Sequence, residues 1–363
     1  MKKPIQILII TLLAVTGCQG SPPEQEQSQP QGQTSVAVHS PVPTQAPTKK
    51  PAETLVPPTF TPTQPLMPSP TVTPSFTLDP LLLATPRYDP VLKVVQEKNI
   101  AYTMPSQPDV VEQKLDIYHP EEKGSWPTVV IVPAIGNYRG VLTSMALGKA
   151  IAGQGAVVLV PDVGTNDSYF LTVAANNNGA QLRQVQEEIL CVLRFARAQA
   201  EAYGGDPGDV ILLGTGLGGL YSLDTALQGE NVKGMWDDFA AIRGGPPEQA
   251  GCIEQGGLPT VGALVGYMGE YYTEDLKNTD ADLANLMDPN ANVAGGGKLK
   301  ITFLHMLDDP NNQQELIRKL KDTLSAAGNQ VQLLAVNPAT HSISSSGPEL
   351  GWITNAILQY ANP

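Results

Sequence analysis

Several short runs in this sequence are apolar with no polar alternation, and they restrict the fold more than any other feature. The main ones are Pro127-Thr128-Val129-Val130-Ile131-Val132, Ala156-Val157-Val158-Leu159-Val160, Val210-Ile211-Leu212-Leu213 and residues 261–265. A strand with one wet face alternates apolar and polar residues, whereas a continuous apolar run suits a strand covered on both faces. Residues 301–304 and 331–336 read as further strands, and 100–104 and 114–118 as two short strands ahead of the series. Helical spacing separates them over 142–152, 180–203, 217–227, 314–327 and 349–360; in the longest, Val185, Ile189, Val192, Leu193 and Ala196 share one face. Such alternation predicts an α/β fold, a mostly parallel sheet with helices on both faces joined by right-handed crossovers. Ligands in such sheets sit at the carboxyl ends of the strands. Three features fall there: the turn at Gly214, the loop at Asp308-Asp309 and the loop at His341.

The first part of the chain has a different composition. Met1-Lys2-Lys3 is basic, and residues 5–15 form an apolar run too short to span a bilayer comfortably. The run ends in Val15-Thr16-Gly17-Cys18, which resembles the bacterial lipobox. That resemblance implies cleavage of residues 1–17, lipidation of Cys18 and a domain outside the cytoplasm, anchored to a membrane of a bacterial cell envelope. Residues 18–87 are a mixture of Pro, Thr, Ser and Gln, as in Pro57-Pro58-Thr59-Phe60-Thr61-Pro62. This composition cannot bury enough apolar surface to offset chain entropy and is expected to form a disordered, extended tether. A globular domain is then expected over 88–363. The formal net charge of −13, with no basic stretch beyond short pairs such as Lys49-Lys50, argues against nucleic acid and against a polybasic membrane patch.

Four stretches carry a family resemblance. They are Lys114-Leu115-Asp116-Ile117-Tyr118-His119-Pro120, Tyr203-Gly204-Gly205-Asp206-Pro207-Gly208-Asp209-Val210, Leu304-His305-Met306-Leu307-Asp308-Asp309-Pro310 and Ala339-Thr340-His341-Ser342. Together they resemble the α/β-hydrolase superfamily, especially its bacterial carboxylesterase and dienelactone-hydrolase-like branches. The resemblance implies an α/β-hydrolase fold, with Asp309 as the acid (Asp308 is the alternative within the doublet) and His341 as the base.

The sequence departs from that pattern at two places. The family's nucleophile elbow is G-x-S-x-G on a sharp strand-to-helix turn; here the turn reads Gly214-Thr215-Gly216-Leu217-Gly218-Gly219. Gly216 has no side chain to attack a carbonyl, which closes the acyl-enzyme route. Many members also have a His-Gly pair after the strand that ends here at Val132, where this chain has Pro133-Ala134-Ile135-Gly136, and proline has no N–H to donate. The amides of Leu217, Ala134 and Ile135 are left as candidate oxyanion donors. Thr215 is the nearest hydroxyl but occupies a position that normally points away from the pocket; Ser222 and Ser342 are weaker substitutes. Two readings follow: a pseudoenzyme that binds a small molecule such as an ester or lactone, a glycan or a protein at the cell surface, and an ester or lactone hydrolase that uses His341 and Asp309 with an unconventional nucleophile or activated water.

Other chemistries have less support. Gly214-x-Gly216-x-x-Gly219 satisfies a dinucleotide fingerprint, but it falls in mid-sheet with only Asp237 as a partner acid, so no cofactor is expected. His39, His119, His305 and His341 are scattered and no metal-ligand spacing includes Asp162 or Asp309, so no metal site is expected either. Cys191 and Cys252 either pair, as an oxidising compartment allows, or stand as two separate thiols. Residues 243–257 and 270–275 are candidate lid segments.

Overall fold

The computed structural model describes residues 91–105, 111–134, 139–164, 179–244, 248, 250–295, 298–306, 314–336, 343–344 and 347–361. Its strands are β1 (Val94–Ala101), β2 (Thr103–Pro105), β3 (Lys114–Pro120), β4 (Trp126–Val132), β5 (Val157–Pro161), β6 (Gly205–Thr215), β7 (Ala250–Cys252), β8 (Thr260–Tyr267), β9 (Lys300–Met306) and β10 (Gln330–Val336). The longer helices are α1 (Leu142–Gly153), α2 (Ala180–Gln199), α3 (Leu217–Gln228), α4 (Asn231–Arg243), α5 (Gln314–Ala326) and α6 (Pro348–Ala361). Eight strands form one sheet in the order β1-β3-β5-β4-β6-β8-β9-β10. β1 and β3 are antiparallel, as are β3 and β5, and every pairing from β5 to β10 is parallel.

The period of two along each strand divides the core into two layers. Val129 and Ile131 of β4, Val158 and Val160 of β5, and Ile211 and Leu213 of β6 pack with Leu147 and Ile151 of α1 and Ile353 and Ile357 of α6. Their neighbours Val130, Val132, Val157, Leu159, Val210 and Leu212 face the other way, onto α2, α3 and Trp236 of α4. Both faces of these strands are therefore apolar, which is why they read as unbroken runs.

Two expectations need correction. The first strand does not run over 100–104: β1 ends at Ala101, and β2 belongs to a separate two-stranded sheet with β7. The break falls at Tyr102, whose fully buried side chain donates a hydrogen bond to the Asp162 carbonyl at 2.5 Å. β1 has no apolar alternation to mark it, because Glu97, Lys98 and Asn99 are exposed and a bulge with Asn99 at φ 60° interrupts its register. The second correction is α4, which was not expected at all, although Val232, Trp236 and Phe239 are its buried residues at helical spacing.

The first half of α2 is buried on its polar side as well. Arg183 pairs with Glu187 at 2.6 Å and with Asp237 of α4 at 2.7 Å. Gln186 accepts from the Trp236 indole N–H at 2.5 Å and donates to Asp224 of α3, which also accepts from Asn292. Burial pushes Asp224 up to about 6. Glu188 accepts from the Gly164 N–H and from Gln184, and burial pushes it up to about 7. These contacts bind the helix layer together through satisfied polar groups. A disulfide joins Cys191 of α2 to Cys252 of β7, with Cα atoms 4.8 Å apart.

Glu188 makes stability depend on pH. Its folded carboxyl keeps the proton up to about pH 7, whereas the ordinary value is 4.5. Its contribution to stability is therefore complete below the unfolded value and is lost as pH rises through the folded one. The melting temperature is expected to fall between about pH 5 and about pH 8, and Glu188→Gln to show a smaller fall over the same interval. Calorimetric scans of both chains across that range make the comparison; equal falls would remove Glu188 as the cause.

Candidate functional site

The site lies at the carboxyl end of β6, at the centre of the sheet. β6 ends at Thr215, α3 starts at Leu217, and Gly216 alone makes the turn with φ 51° and ψ −131°. Only glycine enters that region without strain. Two flanking glycines let the helix sit directly on the strand ends. A Cβ on Gly214 would lie 2.5 Å from the Gly219 Cα, and one on Gly218 would lie 2.4 Å from the Val132 carbonyl oxygen.

The end of β8 and the chain after it hold the turn from below. The Gly216 N–H donates to the Tyr267 carbonyl at 3.2 Å, and the Gly216 carbonyl accepts from the Gly219 and Glu270 amides at 2.9 and 3.0 Å. Tyr271 is buried against Phe303, with ring centroids 4.8 Å apart. Its hydroxyl would lie 2.9 Å from a Cβ on Gly219, and burial raises its pKa. Glu270 and Tyr271, expected in a lid segment, instead support the elbow. The other candidate lid segment, 243–257, is fixed at its centre by the β2–β7 pairing and the disulfide.

A side chain at the nucleophile position would meet the chain that follows β4. A Cβ on Gly216 would stand 3.0 Å from the Ala134 methyl. The Ala134 N–H, expected as a candidate oxyanion donor, donates to Thr215 Oγ1 at 2.8 Å. Thr215 is buried, and its hydroxyl oxygen accepts this bond instead of facing a substrate. The Leu217 side chain lies in the core, and its amide belongs to the first turn of α3, where N–H groups have no intrahelical partner. Ser222 is fully buried within α3. Ile135, Asp308, Asp309, His341 and Ser342 lie outside the described residues.

A charged latch holds Arg139, shortly before α1. Arg139 Nε donates to Asp162 Oδ2 at 2.7 Å, and its Nη1 donates to Asp116 Oδ1 at 2.9 Å and to Asn99 Oδ1 at 2.8 Å. Its backbone N–H reaches Asp162 Oδ1 at 3.2 Å. Asp162, considered as a metal ligand from the sequence, is thus held by a guanidinium. Asp237, the acid of the dinucleotide reading, is on α4 and pairs with Arg183, not at the end of a neighbouring strand. No group of three His, Cys, Asp or Glu side chains suited to a metal occurs among the described residues. A cavity of about 610 Å³ lined by Trp126, Asp206, Asp209 and Tyr360 opens at the amino ends of β4 and β6, away from the elbow.

Three esterases are among the solved structures that share this fold. A truncated carbohydrate esterase from gut microbiota superposes with a TM-score of 0.54 at 16% identity over 77% of this chain and 100% of its own. The apo form of Thermogutta terrifontis esterase 2 gives 0.52 at 16% identity over 72% and 96%. An inhibited esterase B from Lactobacillus rhamnosis gives 0.53 at 15% identity over 78% and 90%. The chain has the α/β-hydrolase fold. No family model matches the sequence, and no curated protein matches it either.

Within the α/β-hydrolase fold the strand–turn–helix at Gly216 is intact as backbone. It carries no side chain at Gly216, has the Ala134 methyl 3.0 Å from the position of a Cβ there, and has the Ala134 amide bonded to Thr215. Sequence alone located Gly216 and the Ala134 departure. The Thr215–Ala134 bond left no signal there, because it depends on how the end of β4 meets the end of β6.

Gly216→Ser is expected to lower stability by about 2 kcal/mol, from left-handed backbone strain and the Ala134 contact. In the double variant Gly216→Ser/Ala134→Gly the loss should be smaller than the sum of the two single losses. Urea denaturation of the four chains tests this, and strict additivity would show that Ala134 does not limit the position.

Proposed function

We propose that this chain is an esterase-like protein that binds a small ester, lactone or glycan ligand without acyl-enzyme chemistry, and that it does so outside the cytoplasm at a bacterial cell envelope. The observation that carries the reading is Gly216 at the elbow with Ala134 3.0 Å from its missing Cβ. The engagement of the Ala134 amide by Thr215 supports it independently, since an oxyanion site requires free donors. The two departures follow different strands, β6 and β4, so one substitution does not account for both.

The second reading rests on the Asp309 and His341 positions in the sequence. There, His341 would activate water or an unconventional nucleophile. An assay separates the two. The full chain, Gly216→Ser, Gly216→Ser/Ala134→Gly and His341→Ala are measured against short- and medium-chain chromogenic esters. No turnover by the parent chain is expected, with activity appearing first in the double variant. Turnover by the parent chain that disappears in His341→Ala would overturn the binding reading in favour of the second.

The envelope location rests on the Val15-Thr16-Gly17-Cys18 sequence, with Cys18 as the lipidated residue. The Cys191–Cys252 disulfide supports it, because such bonds persist in oxidising compartments. Acyl chains on Cys18 would anchor the protein through about 0.8 kcal/mol per buried methylene. Labelling with radioactive palmitate in a bacterial host is expected to mark the full chain and not Cys18→Ala. Equal labelling of the two would exclude Cys18 as the anchor.

A further inference from the structure

The cavity of about 610 Å³ at the amino ends of β4 and β6 has the size of a small-molecule site, about 300–1,000 Å³. Two aromatic rings stand in its walls, Trp126 at the start of β4 and Tyr360 near the end of α6, and both are fixed. The Trp126 indole N–H donates to the Glu122 carbonyl at 3.2 Å. Its ring lies so close to Gly124 and Gly155 that Cβ atoms there would come within 2.5 and 2.9 Å of it. The Tyr360 hydroxyl shares a hydrogen bond with Thr302 Oγ1 at 2.5 Å.

Three carboxylates, Glu201, Asp206 and Asp209, line the same cavity. Among the described residues no ion pair includes any of them. Arg197, the cation beside this turn, gives its Nη1 to the Pro207 carbonyl at 3.2 Å. Burial, and then the charge of Asp206, raise the Asp209 carboxyl above its ordinary value, so these two acids act on each other unfavourably.

We propose that this cavity binds an aliphatic polyamine, with its ammonium groups at Glu201, Asp206 and Asp209 and its methylenes against Trp126 and Tyr360. A primary ammonium offers three donors to carboxylates, and its bonds to them are charge-assisted. Aromatic faces attract both the cation and the alkyl chain that carries it. A ligand with more than one charge matches three carboxylates better than a monocation does, and a neutral one leaves their repulsion in place. A metal ion is a poorer occupant, because no three acidic side chains among the described residues are grouped closely enough to hold one. The cavity lies at the other end of the strands from the elbow, so this site stands or falls apart from the chemistry at Gly216.

The test is calorimetric titration of the full chain at constant ionic strength with cadaverine and with pentanediol, which has the same carbon chain without the charges. Cadaverine is expected to bind and pentanediol to give no binding heat. Glu201→Gln/Asp206→Asn removes two of the charges and keeps the fold, since Glu201 is exposed and an asparagine oxygen still accepts the Gly208 N–H that Asp206 Oδ1 holds at 2.7 Å. It is expected to weaken cadaverine about tenfold. Glu121→Gln/Asp322→Asn removes two exposed carboxylates elsewhere and is expected to leave binding unchanged. No binding of cadaverine at millimolar concentration, or equal binding of pentanediol, would overturn the proposal. Equal weakening by the two double variants would do so as well, because the attraction would then belong to the acidic chain as a whole.

Discussion

The close seating of α3 on the ends of β4 and β6 is the constraint on which the rest of the site depends. The distances that Cβ atoms would have at Gly214 and Gly218, 2.5 and 2.4 Å from neighbouring backbone, show that the helix lies nearer the sheet than ordinary side chains permit. With the helix fixed so closely, a single residue must reverse the chain, and Gly216 adopts a left-handed conformation to do it. The same closeness brings the end of β4 alongside, so that Ala134 faces Gly216 and its amide meets Thr215. The contacts around Gly216 are therefore a property of how three backbone segments converge. Restoring one side chain addresses only part of it.

Electrostatic organisation follows the same convergence. On one side of the sheet, Arg139 gathers Asp162, Asp116 and Asn99. Asp116 lies almost out of solvent, and leaving it without its cation would cost about 3 kcal/mol. On the other side, Asp224 and Glu188 sit within the helix layer and are held by amide donors from Gln186, Asn292 and Gln184. Groups so placed restrict how the helices can slide, because each has one arrangement that satisfies it. The buried carboxyls of this helix layer, held by amides and by the Arg183 guanidinium, keep it in a single registry.

Much of the fold was legible because strands covered on both faces leave unbroken apolar runs, as at β4, β5 and β6. The elbow was legible for a related reason: the glycines that permit close approach are the ones that mark the turn. β1 was misplaced because an edge strand bears charges and a bulge, and Glu97, Lys98 and Asn99 conceal its pattern. α4 has its apolar residues at helical spacing but only three of them are buried, so its stripe is thin. The Thr215–Ala134 bond was not legible at all. It joins residues 81 positions apart, and each of them is unremarkable in its local sequence. Asp309 and His341 were named from resemblance and lie outside the described residues.

The Cys191–Cys252 bond encloses β6, the elbow, α3 and α4, because its cysteines are 61 residues apart and these elements lie between them. The nucleophile position is thereby inside a covalent ring. By the chain-entropy account, closing a loop of this length removes about 4 kcal/mol of freedom from the unfolded chain. A single proteolytic cut within the ring would leave both fragments attached to one another. Such a ring keeps the elbow and the elements beside it together when its backbone is nicked.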